Sequence, residues 1–453
     1  MNTRLLGWFC AIGCAVTLAD SAFGQAAAAN APAPAQSAPL TLTLLDALAR
    51  AQMNAPQLLA ALNDANVARE DLLQARAAQR PSASFKSEYL GTQGNGVLPS
   101  SRFVTNDGVH VYRDWGIVHQ DFTAALTKTG PQRAAVGETL AQARAEIARR
   151  GVAFTVTRAY YALLTGQRKY ATAQQALDQA KRYLDLTQSL ERGGEVPRSD
   201  VVRADFQYSQ QEQAFEEAKL AMDSARLDLA VLLFRDFDQN FTVVDDLSLA
   251  PALPAFTEIQ TMAERENPDL RAANAALRAA SLDVSIARQA FLPSLTADVA
   301  YGIEANAFAL HSTVAADPQK GPLPNLGYFV TISLNVPVWD WGSRTSKVRQ
   351  AQLKRDEANV ELTATQRTLI RNLQGYYQEA QTAHDQVDRL RHSMDLAAEN
   401  LRLNGLRYQA AEATILELLD AQTLLTSARN AYDDGLVRYR LALANLETIT
   451  GTF

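Results

Sequence analysis

The chain has 453 residues, 47% of them hydrophobic and 20% charged, with a formal net charge of -6 at pH 7. That length allows two or three ordinary domains or one large elongated one. Mild acidity with no basic face or Lys/Arg run argues against nucleic acid as a partner. Both cysteines, Cys10 and Cys14, lie at the extreme N-terminus, so the rest of the chain owes nothing to disulfides or thiolate metal sites.

Residues 1–24 read as a secretory signal. Arg4 supplies the positive start, Leu5 to Leu18 is largely apolar, and Ala22-Phe23-Gly24 gives the small residues of a cleavage site before Gln25. The apolar run is shorter than the ~20 residues of a membrane-spanning helix. A looser alternative is a lipoprotein signal, Ala11-Ile12-Gly13-Cys14, with Cys14 acylated. After the signal no apolar stretch reaches the roughly 18 residues that a transmembrane helix needs, so entry into a membrane would require β-strands. Residues 25–39 form an Ala/Pro-rich lead-in without periodic pattern.

A first unit, 40–249, opens with helix over Leu45 to Gln79, interrupted near Pro56 and ended by Pro81. Alternation at Ala83, Phe85, Ser87 and Tyr89 predicts one strand, and Gln120, Phe122, Ala124 and Leu126 predict a second. Residues 92–116 between them are a solvated loop. A proline-free stretch then predicts a helix over 132–191, about 90 Å long at ~1.5 Å per residue. Its apolar seam, Val152, Val156, Ala159, Leu163, Gly166, Tyr170, Ala173, Leu177, Ala180 and Leu184, steps by four and three without a break. That is the pattern of helices packed knobs-into-holes. Gly193, Gly194, Glu195, Val196 and Pro197 stop the helix and turn the chain into an antiparallel partner.

Residues 250–255 are a linker, and 256–453 repeat the first unit. At a shift of 212 residues Pro56 meets Pro268, Ala75-Arg76 meets Ala287-Arg288, Pro81-Ser82 meets Pro293-Ser294 and Tyr89 meets Tyr301; at 217 the whole heptad seam falls on Leu369 to Leu401. Strands are predicted over Leu295 to Tyr301 and Tyr328 to Val336, joined by a long loop over 304–326. A helix over 344–408 follows, and a break at Ala410, Ala411, Glu412, Ala413 and Thr414 makes a second hairpin tip.

Strict period-two strands suit a sheet between two solvents, and Tyr89, Tyr301, Trp115, Trp339 and Trp341 stand near strand ends like interfacial aromatic girdles. Four strands cannot close a barrel, and open edges are not tolerated in lipid, so several copies must combine; three give twelve strands, a known barrel size.

The duplicated helix–two strands–long helix unit, Asn267-Pro268-Asp269-Leu270, Leu292-Pro293-Ser294-Leu295 and Pro337-Val-Trp-Asp-Trp-Gly342 together resemble the TolC family of outer-membrane efflux channels. The resemblance implies an α+β membrane protein: a homotrimer with a twelve-stranded transmembrane β-barrel, four strands per chain, coaxial with a long α-helical coiled-coil tunnel. It implies a conduit in the outer membrane, reaching into the periplasm, that works with a periplasmic adaptor protein and an inner-membrane transporter. The hairpin tips at 193–197 and 410–414 would dock the adaptor. Glu417 and Asp420, three apart on one helix face, match the family's acidic pair around the periplasmic entrance. Ala411 stands where a glycine is usual, and Ala413 where a basic residue can sit.

No enzyme signature appears: there is no nucleophile elbow, P-loop or dinucleotide fingerprint. His110, His119, His311, His384 and His392 form no metal-ligand spacing, and no cofactor is implied. The rival class is a periplasmic or surface coiled-coil structural or adhesion protein, which would explain the heptads but not the strands. Cargo is open among drugs, metals and proteins, with small molecules the default.

Overall fold

The computed structural model describes residues 40–92, 109–235, 240–248, 251–305, 308–317, 321–410 and 412–451. The expected signal and lead-in, Ala411 and most of the 92–116 loop lie outside these residues.

A short strand β1 (Leu40–Leu42) leads into helix α1 (Leu44–Asn54), whose start is fixed by a reciprocal cap between Thr43 and Asp46. Pro56 breaks the backbone hydrogen-bond ladder, and α2 (Pro56–Ala77) begins on it, proline being tolerated at a first helical position. Strands β2 (Ser82–Thr92) and β3 (Val109–Asp121), a short helix α3 (Phe122–Thr127), and the helices α4 (Thr129–Arg192) and α5 (Arg198–Leu233) complete the first half. Strand β4 (Phe241–Val243) returns to pair in parallel with β1. The second half runs α6 (Phe256–Glu266), α7 (Pro268–Gln289), β5 (Ser294–Ala305), β6 (His311–Asp317), β7 (Gly321–Pro324), β8 (Leu326–Asn335), α8 (Ser343–Gln409) and α9 (Ile415–Thr450). Asn267 caps α7 by accepting from the Leu270 amide.

Helix lengths match pairwise between the halves: 11 and 22 residues for α1 and α2, 11 and 22 for α6 and α7, 64 against 67 for α4 and α8, and 36 each for α5 and α9. At ~1.5 Å per residue α4 and α8 are each about 100 Å long. They pack against α5 and α9 respectively, and α4 also lies against α9, α2 and α7. Every heptad position of both seams is buried or half-buried, with Val156, Leu163, Ala180, Ala380 and Ala383 among the fully buried.

The core is divided into separate clusters along the length of the molecule, as suits so elongated a chain. One gathers Leu42, Ala47, Tyr160, Leu163, Leu229 and Phe241, where β1, β4 and α1 close against α4 and α5. The Tyr160 hydroxyl donates to the carbonyl of Val244 at 2.7 Å and lies 3.3 Å from that of Leu42, tying the β1–β4 pair to α4.

Strands β2, β3, β5 and β8 form one antiparallel sheet in the order β2-β3-β5-β8. Three expectations need correction here. The second strand lies over Val109–Asp121, not over Gln120 to Leu126: Asp121 accepts from the amides of Thr123 and Ala124 and caps α3. The solvated loop over 92–116 is accordingly shorter, since β3 already occupies 109–116. The loop over 304–326 is not structureless, because β6 and β7 pair within it.

Candidate functional site

Two places in this frame carry chemistry: the sheet at one end of the helices and the hairpin tips at the other. In an antiparallel ladder, paired residues share a face and alternate along each strand. Pairing of Ala83 with Val118, Phe85 with Gly116, Tyr301 with Gly116 and Tyr328, Val299 with Val330, and Ala297 with Ile332 sets these residues on one face. That face is apolar and exposed: Phe85, Tyr89, Val118, Val299, Tyr301, Tyr328, Val330, Ile332 and Leu334 all present their side chains to the surroundings. No other element of the described residues covers it.

The opposite face is charged and internally paired. Lys86 contacts Glu88 at 2.8 Å, Arg113 contacts Glu304 at 2.9 Å, and His119 meets Asp298 at 2.7 Å. Among the described residues, neither the outer edge of β2 nor that of β8 pairs with another strand. No helix of the described residues is long and apolar enough to cross a membrane.

Aromatic placement departs from expectation in two respects. Tyr89 and Tyr301 lie on the apolar face, Tyr89 stacked on Tyr112 with ring centroids 5.0 Å apart. Trp115 does not join them: its partners Lys86 and Gly302 set it on the charged face, where its ring meets Phe329 edge-on at 4.9 Å. Trp339 and Trp341 do not close β8, which ends at Asn335, but stand beyond it in the turn before α8, 74% and 90% exposed. Their rings contact each other at 5.7 Å. Trp341 holds φ 56, a left-handed conformation rare for so bulky a side chain, directly before Gly342 at φ 84.

At the first tip, α4 ends in a Schellman turn. Gly194 at φ 77 takes the left-handed position, its amide donates to the Glu191 carbonyl, and the Glu195 amide reaches back to Leu190. Val196 and Pro197 then lead into α5, whose cap residue is Pro197. At the second tip, Thr414 and Glu417 form a reciprocal cap that starts α9, and the Glu412 amide donates to the Arg407 carbonyl. Ala410 terminates α8 and Ala413 is half-buried against the tip core. Ile415, Leu418 and Leu419 bury themselves against Leu401 and Tyr408, with Tyr183, Leu186 and Leu190 of α4 packed on the same cluster. The end of α4 beside the first tip therefore packs on the second, and the hydroxyls of Thr187 and Tyr408 bridge them at 3.1 Å.

Glu417 and Asp420 are both exposed, on the side of α9 opposite the buried leucines. Their shared face was legible from their spacing. Arg407 was not: it reaches from α8 to Glu417 Oε2 at 3.3 Å, across a turn whose sequence gives no periodic sign of the contact.

Residues 260–452 match the family model for the outer membrane efflux protein. The pyoverdine export outer membrane protein OpmQ of Pseudomonas putida is 28% identical over 61% of this chain. The chain spans 56% of that protein's length, and about half to three-fifths of the other first-ranking curated relatives. The outer membrane protein TolC of Escherichia coli is 22% identical over 90% of this chain and 82% of its own. In fold, the chain is similar to the CmeC outer membrane channel of Campylobacter jejuni, with a TM-score of 0.77 at 18% identity over 90% of this chain and 85% of that one. VceC of Vibrio cholerae is similar at a TM-score of 0.76 and 16% identity, over 90% of this chain and 96% of that one. The family match, the relatives and the shared architecture agree: residues 260–452 carry an outer membrane efflux protein domain, and over most of its length the chain has the fold of outer-membrane channels and is similar in sequence to TolC.

Proposed function

We propose that the chain is the outer-membrane channel of a tripartite efflux system, passing small molecules from a periplasmic adaptor and inner-membrane transporter to the exterior. The observation that carries this reading is the four-stranded sheet with one exposed apolar face and two edges unpaired among the described residues, set at one end of helices about 100 Å long. An apolar face of that height suits lipid. An open edge does not, since each unsatisfied backbone group in hydrocarbon costs several kcal/mol.

Joining β8 of one copy to β2 of the next removes both edges, and three copies give three times four strands, a twelve-stranded barrel. The charged face then lines the lumen, where Lys86, Glu88, Arg113 and Glu304 meet water. Tyr89 and Tyr301 mark the outer interface, and Trp339 and Trp341 mark the inner one. The matched helix lengths of the two halves support reading 40–249 and 256–453 as duplicated units joined at 250–255.

The coaxial helices extend the conduit into the periplasm. Its tips, 193–197 and 410–414, are the surface offered to the adaptor, and Glu417 with Asp420 from three copies rings the entrance. Conduction rather than catalysis is the role of such an assembly. The similarity of the chain to proteins named for pyoverdine export favours a small organic cargo. Planar-bilayer recording tests the reading: uniform conductance steps are expected from the purified protein, and a preparation that inserts without conducting would overturn it.

A further inference from the structure

We infer that the two tip carboxylates are unequal: Arg407 neutralises Glu417, Asp420 alone carries the charge that permeating ions meet, and Arg407 therefore sets the cation preference of the entrance. This rests on reading Glu417 and Asp420 as an entrance ring.

Glu417 is fully engaged. Its Oε1 accepts from the Thr414 amide at 3.4 Å and the Thr414 hydroxyl at 3.2 Å, while its Oε2 faces Arg407 Nη1 at 3.3 Å. The arginine is itself held by the turn, donating to the Glu412 carbonyl at 3.3 Å and to Asn404 Oδ1 at 3.5 Å. Arg407 and Glu417 thus belong to one folded unit, ten residues apart in the chain.

Asp420, three residues further along the same helix face, is exposed and has no hydrogen bond or ion pair among the described residues. Leu418 and Leu419 between the two carboxylates are buried, so α9 cannot rotate to exchange them. The Arg407–Glu417 pair is about half exposed and adds little stability. Its electrical effect is larger, because a paired charge presents only a dipole to an ion several ångströms away, whereas Asp420 presents a full charge.

The test is the potassium-to-chloride permeability ratio from reversal potentials under a KCl gradient. Asp420→Asn is expected to lower the ratio about fivefold, Glu417→Gln to lower it about threefold by leaving the Arg407 charge unpaired, and Arg407→Gln to raise it about threefold by exposing the Glu417 charge. Arg407→Gln with Glu417→Gln should return it to the wild-type value, and Arg407→Lys should not move it. Gel filtration of each variant reports assembly, and glutamine at 417 keeps the capping geometry. A ratio that stays unchanged in Arg407→Gln, or that fails to return to the wild-type value in Arg407→Gln with Glu417→Gln, overturns the inference while leaving the ring intact. An unchanged ratio in Glu417→Gln with Asp420→Asn overturns the ring and the inference together, while conductance itself would still stand for the channel.

Discussion

Arg168 of α4 holds Asp433 of α9 at 2.8 Å, and the same guanidinium takes Asp245 at 2.7 Å, so one side chain ties the two halves of the chain together. Asp433 is 10% exposed, and removing its partner leaves a carboxylate poorly solvated. Arg168→Ala is expected to cost about 2 kcal/mol and to lower the thermal midpoint of the detergent-solubilised protein by a few degrees. The neighbouring pair of Lys169 and Asp434 is more exposed, and Lys169→Ala should cost about 0.5 kcal/mol or less. Equal losses at both positions would contradict the linking role of Arg168.

Acid should loosen a second junction. Arg149 and Arg150 both donate to Glu146, and Arg150 also reaches the carbonyls of Thr448 and Glu266, near the ends of α9 and α6. The hydrogen bond from Arg149, outweighing burial and aided by Arg150, holds the Glu146 carboxyl at about 2, against an ordinary 4.5. A depressed folded-state pKa stabilises above the unfolded value and is lost as pH falls through the folded one. Stability should therefore decline between about pH 4.5 and pH 2 by about 2 kcal/mol from this group. In Glu146→Gln that part of the acid dependence should vanish, as read from melting temperatures across this range.

The two faces of β8 should respond oppositely to the same substitution. Ile332 stands on the apolar face near mid-strand, and an arginine there should cost about 2–4 kcal/mol in lipid. Thr331→Arg, on the charged face beside Asp298, should be tolerated. Outer-membrane fractionation checks this: Ile332→Arg should be depleted from the membrane and Thr331→Arg retained.

Close strand approach gives a third contrast. A Cβ built on Gly302 would fall 1.9 Å from the Asp114 carbonyl oxygen, whereas one on Gly327 meets nothing. Gly302→Ala should separate β3 from β5 locally and lower the melting temperature of the assembled protein, while Gly327→Ala should leave it within a degree or two.

Much of this was legible in advance, for identifiable reasons. A heptad seam without proline marked α4 and α8 to within a few residues of their observed ends, because over so many turns one period dominates all else. The β3 strand was misplaced because Phe122 and Leu126 satisfy the four-residue helical spacing as well as an alternation, and the cap at Asp121 decides for helix. The same strand carries Arg113 and Asp114, which read as part of the loop over 92–116 until the ladder sets Arg113 beside Glu304 on the charged face and Asp114 between Ser87 and Ile303 on the other. Tyr160 and Tyr161 lie outside the seam yet are fully buried, through contacts with segments distant in sequence. Arg407 escaped for a different reason: its partner Glu417 is only ten residues on, but the contact crosses a turn that carries no period.

The most direct test of the central claim is the native mass of the protein extracted from outer membranes in mild detergent. Edge-to-edge closure predicts a single species of three chains that dissociates only on denaturation. A stable monomer that stays in solution without detergent would contradict the closed barrel, and the channel with it.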